Sequence, residues 1–151
     1  MAPSLDAHLD ALRATYRRLG PAEAAAAAEG GALLVDIRYG ALRDRDGTIP
    51  GAAIVERNEL EWRLDPEGSH RLPEIVSHEL PVVVICNEGY ASTLAVASLR
   101  GLGLAAVTDL TGGFQAWRAA GLPVAPPDGT PTRPSPSVAD LTVSPPDGQP
   151  A

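Results

Sequence analysis

The chain has no lysine: all twelve of its positive charges are arginine. That absence excludes a lysine Schiff base, a lysine general base and the phosphate-gripping lysine of a P-loop. Cysteine is almost as scarce, with one in 151 residues. A lone thiol forms no internal disulfide and no four-thiolate zinc site, which fits a reducing, intracellular compartment. It also leaves no second thiol in the chain to resolve a disulfide or persulfide formed on the first. His8, His70 and His78 lack metal-ligand spacing, so neither a metal nor a cofactor is expected. Long apolar runs are missing, because the alanines of 24 to 28 lie between Glu23 and Glu29, far short of the ~20 residues a membrane helix needs. The opening "MAPSLDAHLDALR" mixes acids with apolar residues and has no basic-then-apolar order, so no secretory signal is read there and a cytoplasmic location is expected. A net charge of -7 opposes a general affinity for nucleic acid or anionic membrane.

What is present divides into three parts. Residues 1–20 hold an N-terminal helix: Leu5, Leu9, Leu12, Tyr16 and Leu19 recur at spacings of three and four behind Ser4, predicting a helix over 5–18. Residues 21–124 form the main domain. In it, Pro21 opens a helix that runs to about Glu29. "ALLVDIR" is a buried strand ending near Asp36, and "YGALRDRDGTIPGA" is a loop. A weak strand at 52–55, a helix near 58–64 and a short helix opened by "RLPEI" follow. "PVVVIC" is the clearest strand, with a helix after it, then the strand "LAAVTDL" and a last helix in "TGGFQAWRAAG". Strands alternating with helices through short loops predict an α/β fold with a parallel sheet. In 125–151, eight of 27 residues are proline and none is aromatic, so this part reads as a disordered Pro-rich tail.

The chemistry concentrates in "VVVICNEGYAS". Cys86 ends a β-branched strand and is followed by a short polar turn and a helix, the place where parallel α/β folds hold ligands. Backbone amides of such a turn curl around the sulfur and the helix start adds its positive end, and both favour thiolate over thiol. Gly89 permits the positive φ that so tight a curl needs. An isolated cysteine at a strand end is also an ordinary core filler, so the residues alone leave filler and nucleophile both open.

At this point the sequence resembles the rhodanese-like domain. The resemblance runs through "LLVDIR", "GTIPGA", "VVVICNEGYAS" and "VTDLTGGFQAW…GLPV", from Leu33 to Val124. It implies a central, mostly parallel sheet flanked by helices on both faces, and a six-residue active-site loop from Cys86 to Ala91. By the same resemblance Cys86 matches the nucleophile that carries sulfur as a persulfide. Asn87, Glu88, Gly89, Tyr90, Ala91 and Ser92 then meet the substrate. Asp36 and Arg38 match the Asp-x-Arg pair near the site, and Gly112 and Gly113 the glycine pair before the last helix. A small sulfur donor, a thiol or cyanide acceptor and room for a protein acceptor are implied, with no cofactor.

Two positions depart from loops that favour thiosulfate. Ala91 stands where many relatives place arginine, and Glu88 adds a negative charge. If it points inward, a carboxylate ~7 Å from the thiolate costs about 2 kcal/mol at an effective dielectric of 20. Weak use of thiosulfate and better use of a low-charge persulfide follow. Two readings of Arg38 stand side by side, steering an anionic donor or pairing with a carboxylate. The rival to a sulfurtransferase is a non-catalytic or redox-regulatory binding module. A cysteine-dependent phosphatase needs arginine after five intervening residues, and Ser92 occupies that place. Trp62, Trp117 and Phe114 are expected in the core or the cleft wall.

Overall fold

A computed structural model describes residues 1–127. The chain order is α1 (Leu5–Arg13), α2 (Pro21–Glu29), β1 (Leu33–Asp36), α3 (Gly40–Asp46), β2 (Ala53–Ile54), a 3-10 turn (Arg57–Glu59) running into α4 (Leu60–Leu64), β3 (Val82–Ile85), α5 (Ala91–Gly101), β4 (Val107–Asp109) and α6 (Gly113–Ala119). Sheet order is β2-β1-β3-β4, and every pair is parallel. The sheet expected to be mostly parallel is therefore wholly so among the described strands.

Side-chain alternation along the strands builds two cores, because successive residues face opposite sides of a sheet. On one side Val35, Val82 and Val84 meet Leu60 and Leu64 of α4 and Ala95, Val96 and Leu99 of α5. On the other Leu34, Val83 and Ile85 meet Ala24 of α2 and Phe114 and Trp117 of α6. Covered on both faces, β3 reads as an uninterrupted apolar run, which is why it is the plainest strand in the sequence. Each fully buried valine, leucine or isoleucine among these contributes roughly 1.5–3 kcal/mol relative to exposure.

Five local expectations are corrected. Helix α1 ends at Arg13 and not at 18, because Tyr16 and Arg18 turn inward to Asp109, at 2.9 Å each, and Leu19 pairs with Leu110 at the sheet edge. Residues 40–46, read as loop, form α3, which carries no buried residue and so shows no apolar periodicity. "RLPEI" forms a turn that buries Leu72 and Ile75 without forming a helix. Trp62 lies on the surface, 57% exposed, whereas Phe114 and Trp117 are buried as expected. Ala125, assigned to the tail, exchanges backbone hydrogen bonds with Thr48 at 2.7 and 3.0 Å. The remainder of the expected tail, 128–151, lies outside the described residues.

Candidate active site

Cys86 follows β3 directly and is 5% exposed, at the carboxyl edge of the sheet. The chain leaves the strand, turns over five residues and enters α5 at Ala91. In doing so it aims two amides at the sulfur: Gly89 N donates to Sγ at 3.1 Å and Ser92 N at 3.3 Å. Ser92 is in the first turn of α5, so its N–H is one that the helix leaves unpaired. Donors of this kind stabilise a sulfur anion more than a neutral thiol.

The turn closes because α6 begins against it. Phe114 N donates to the Cys86 carbonyl at 2.8 Å and Gln115 N to the Asn87 carbonyl at 3.1 Å. Gln115 Nε2 also donates to Asn87 Oδ1 at 3.0 Å. A Cβ on Gly113 would stand 2.4 Å from the Cys86 carbonyl oxygen, and one on Gly89 would stand 2.7 Å from Gly112 N. Gly89 has φ +90° and Gly113 φ +62°, so both positions demand glycine twice over, for backbone angle and for space.

A cavity of about 260 Å³ opens above the sulfur, lined by Ile37, Arg38, Tyr39, Leu42, Cys86, Asn87, Glu88, Tyr90 and Ala91. Its mouth is aromatic: Tyr39 is 66% and Tyr90 59% exposed. Glu88 is an exposed residue that accepts from Asn87 Nδ2 at 3.2 Å. It sits at the rim, in solvent, where a charge is screened. Gly89, within the loop, and Ser92, just after it, are buried and meet the sulfur through their amides.

Arg38 is among the lining residues, yet its side chain and that of Asp36 have no exposed surface. Its Nε and Nη2 fork onto the Asp36 carboxylate, with the shortest contact 2.8 Å, and Nη2 also donates to the Gly47 carbonyl at 2.8 Å. The guanidinium lies 3.7 Å from the centroid of the Phe114 ring. Asp36 Oδ1 accepts from the Arg38 backbone N at 2.9 Å as well. Of the two readings of Arg38, this geometry is that of pairing with a carboxylate.

Behind the loop lies a layer of buried polar groups that no motif or periodicity marks. Asp109, fully buried, accepts from Ser92 Oγ at 2.7 Å, Thr93 Oγ1 at 3.2 Å, Tyr16 OH at 2.9 Å and both Nε and Nη2 of Arg18 at 2.9 and 3.0 Å. Burial, with the Asp109 charge adding to it, pushes the Tyr16 phenol up to about 12. Burial works against the Arg18 cation, but the Asp109 hydrogen bonds and charge outweigh it and raise the group above its ordinary value. The one signal available in sequence was that Asp109 ends an apolar strand, as Asp36 does. Nothing in the spacing tied it to Arg18, 91 residues away.

The fold is thus an α/β one in which a single thiol stands at the end of a parallel strand, accepts from two loop amides and opens into a pocket. The chain belongs to the rhodanese-like domain family, whose model matches residues 20–120. Thiosulfate sulfurtransferase GlpE of Pseudomonas savastanoi pv. phaseolicola is 31% identical over 107 residues, covering 69% of this chain and 89% of that protein. A structure from Rhodopseudomonas palustris, of a protein of unknown function described as a possible tyrosine phosphatase, is 33% identical with TM-score 0.73, covering 83% of this chain and 96% of that one. The human single-domain sulfurtransferase TSTD1 is 26% identical with TM-score 0.56, covering 69% of this chain and 96% of that one. Among the described residues no helix is long and apolar enough to cross a membrane.

Proposed function

We propose that this chain, a sulfurtransferase of the rhodanese type, moves sulfane sulfur through a persulfide on Cys86. The preferred donor is a low-charge organic persulfide and not thiosulfate, and the setting is the reducing cytoplasm. The observation that carries the reading is the pair of amides donated to Sγ at the floor of an open pocket. In the first step the Cys86 thiolate attacks the outer sulfur of a donor R–S–SH, the donor S–S bond breaks, and R–S⁻ leaves with that bond's electron pair. In the second step an acceptor thiolate takes the outer sulfur of Cys86–S–SH and returns Cys86–S⁻. Atoms and charge balance in each step and no outside oxidant or reductant is needed. The acceptor is a separate thiol, small or on a protein, with cyanide as a laboratory substitute, because the chain holds no second cysteine.

The donor preference rests on the lining. A thiosulfate dianion entering the pocket meets two tyrosines, Leu42, Ala91 and the Glu88 carboxylate, while the Arg38 charge is spent on Asp36. An organic persulfide brings less charge and an apolar body that suits these walls. Phosphatase chemistry has no support in the loop, since Ser92 stands where an arginine would hold the phosphate and its hydroxyl is engaged by Asp109.

Intact-protein mass spectrometry tests the reading. Wild type exposed to glutathione persulfide gains one sulfur that cyanide or a thiol then removes, and Cys86→Ser gains none. No adduct with glutathione persulfide or thiosulfate would overturn it in favour of a binding module.

A further inference from the structure

Two guanidinium groups converge on one carbonyl of the active-site loop. Arg13 Nη2 donates to the Gly89 oxygen at 2.8 Å, and Arg18 Nη2 donates to the same oxygen at 2.7 Å. Arg13 comes from the last turn of α1 and also gives its Nε to Thr93 Oγ1 at 3.0 Å, with its guanidinium 5.8 Å from the Tyr90 ring centroid. Arg18 is the ion-pair partner of Asp109, and Asp109 accepts the Ser92 hydroxyl. The two residues whose amides reach the sulfur are Gly89 and Ser92. Arg18 therefore holds both donor residues by their other polar groups, Gly89 directly and Ser92 through Asp109.

The charge balance has the same direction. The loop from Cys86 to Ala91 contributes no cation and one carboxylate. Behind it stand two guanidinium groups against the one buried carboxylate of Asp109, which leaves one net positive charge at the loop's back. The sulfur's charge is one of the interactions favouring the Arg18 cation, after those of Asp109 and Tyr16. Both arginines precede residue 20, where the match to the family model begins.

We infer that Arg13 and Arg18 are positioning residues: an N-terminal clamp, from outside the family-matched segment, that fixes the amide cradle of Cys86 and supplies the positive charge its loop lacks. The inference rests on reading Cys86 as the nucleophile. Carbonyl groups that accept two guanidinium donors are not free to rotate, so the 89–90 peptide is locked and the neighbouring Gly89 and Ser92 N–H groups stay aimed at Sγ before any donor arrives. An amide cradle that needs no rearrangement stabilises an anion more than one that must first be ordered. The ionisable and charged groups around the loop are Arg13, Tyr16, Arg18 and Asp109 behind it, Glu88 and Tyr90 within it, and Asp36, Arg38, Tyr39 and Arg45 on the pocket side.

The test is the rate of Cys86 alkylation by iodoacetamide against pH in wild type, Arg18→Gln and Arg13→Gln, with thermal unfolding run on each. Cys86 is the only thiol, so the readout is unambiguous. Arg18→Gln is expected to slow alkylation roughly tenfold near neutral pH, with the rate of the alkaline plateau retained. Arg13→Gln should slow it in the same way by about threefold. Profiles that superimpose on wild type in folded variants would overturn the inference and leave the arginines as braces only. If Arg18→Gln does not fold, Arg13→Gln decides alone, since it leaves the Arg18–Asp109 pair intact. Alkylation needs no sulfur donor, so its outcome is separate from that of the sulfur-transfer experiment.

Discussion

The Ser92 hydroxyl donates to Asp109 at 2.7 Å while the amide of the same residue donates to Cys86 Sγ at 3.3 Å. Asp109 thus couples the back of the loop to its working side. Its carboxylate has no exposed surface and is paired with Arg18, so removing it strands a part-buried guanidinium and three hydroxyls. Asp109→Ala is expected to cost about 3–5 kcal/mol, the range for breaking a buried pair on one side. Urea unfolding checks this, and a loss under about 1 kcal/mol would mean that the network is not what holds β4 to α5.

Arg38 gives a contrasting case, in which a cation near the pocket works as an anchor. Arg38→Lys keeps a charge but loses the fork on Asp36 and the flat contact with Phe114. Expected is a stability loss of about 2 kcal/mol, on the scale of a hydrogen bond to a charged group. The donor KM should change little. A KM raised tenfold with stability unchanged would restore the other reading, that Arg38 steers an anionic donor.

Ala91 lines the pocket and begins α5, so under the proposed function a side chain added there meets the donor. Ala91→Arg places a cation beside the sulfur. Its charge-assisted bond to a sulfonate oxygen, about 1.5 kcal/mol, should raise kcat/KM for thiosulfate by roughly tenfold relative to wild type. Steady-state rates with thiosulfate and glutathione persulfide, side by side, report the shift. An unchanged ratio of the two would show that the lining does not set the preference.

Tyr16 offers a pH signature of the same network. Burial and the neighbouring Asp109 hold its phenol up to about 12, whereas an unfolded tyrosine ionises near 10. The folded state therefore binds this proton more tightly than the unfolded one. The resulting stabilisation is fully present below pH ~10 and is lost as pH rises through about 12. Spectrophotometric titration of the tyrosinate band should show a late step near pH 12 that is missing in Tyr16→Phe. A Tyr16 step at the ordinary value would mean that the phenol is not tied to Asp109 in solution.

From the sequence alone come the parallel sheet, the strand that delivers Cys86, the loop that follows it and the glycines that let α6 close on it. These depend on local order: β-branched runs, glycine where φ must be positive, and a helix directly after a turn. The α3 helix and the early end of α1 were not legible, since the first buries nothing and the second is cut short by bonds to a strand far along the chain. Tertiary structure alone decided which charges reach the loop. Arg38, just past the end of β1 and at the pocket, turns its guanidinium inward to Asp36, while Arg13 and Arg18 cross more than 70 residues of chain to meet Gly89. Periodicity reports which face of an element is apolar. A buried carboxylate attracts whichever guanidinium packing places within about 3 Å, and that choice is made only when the chain has folded.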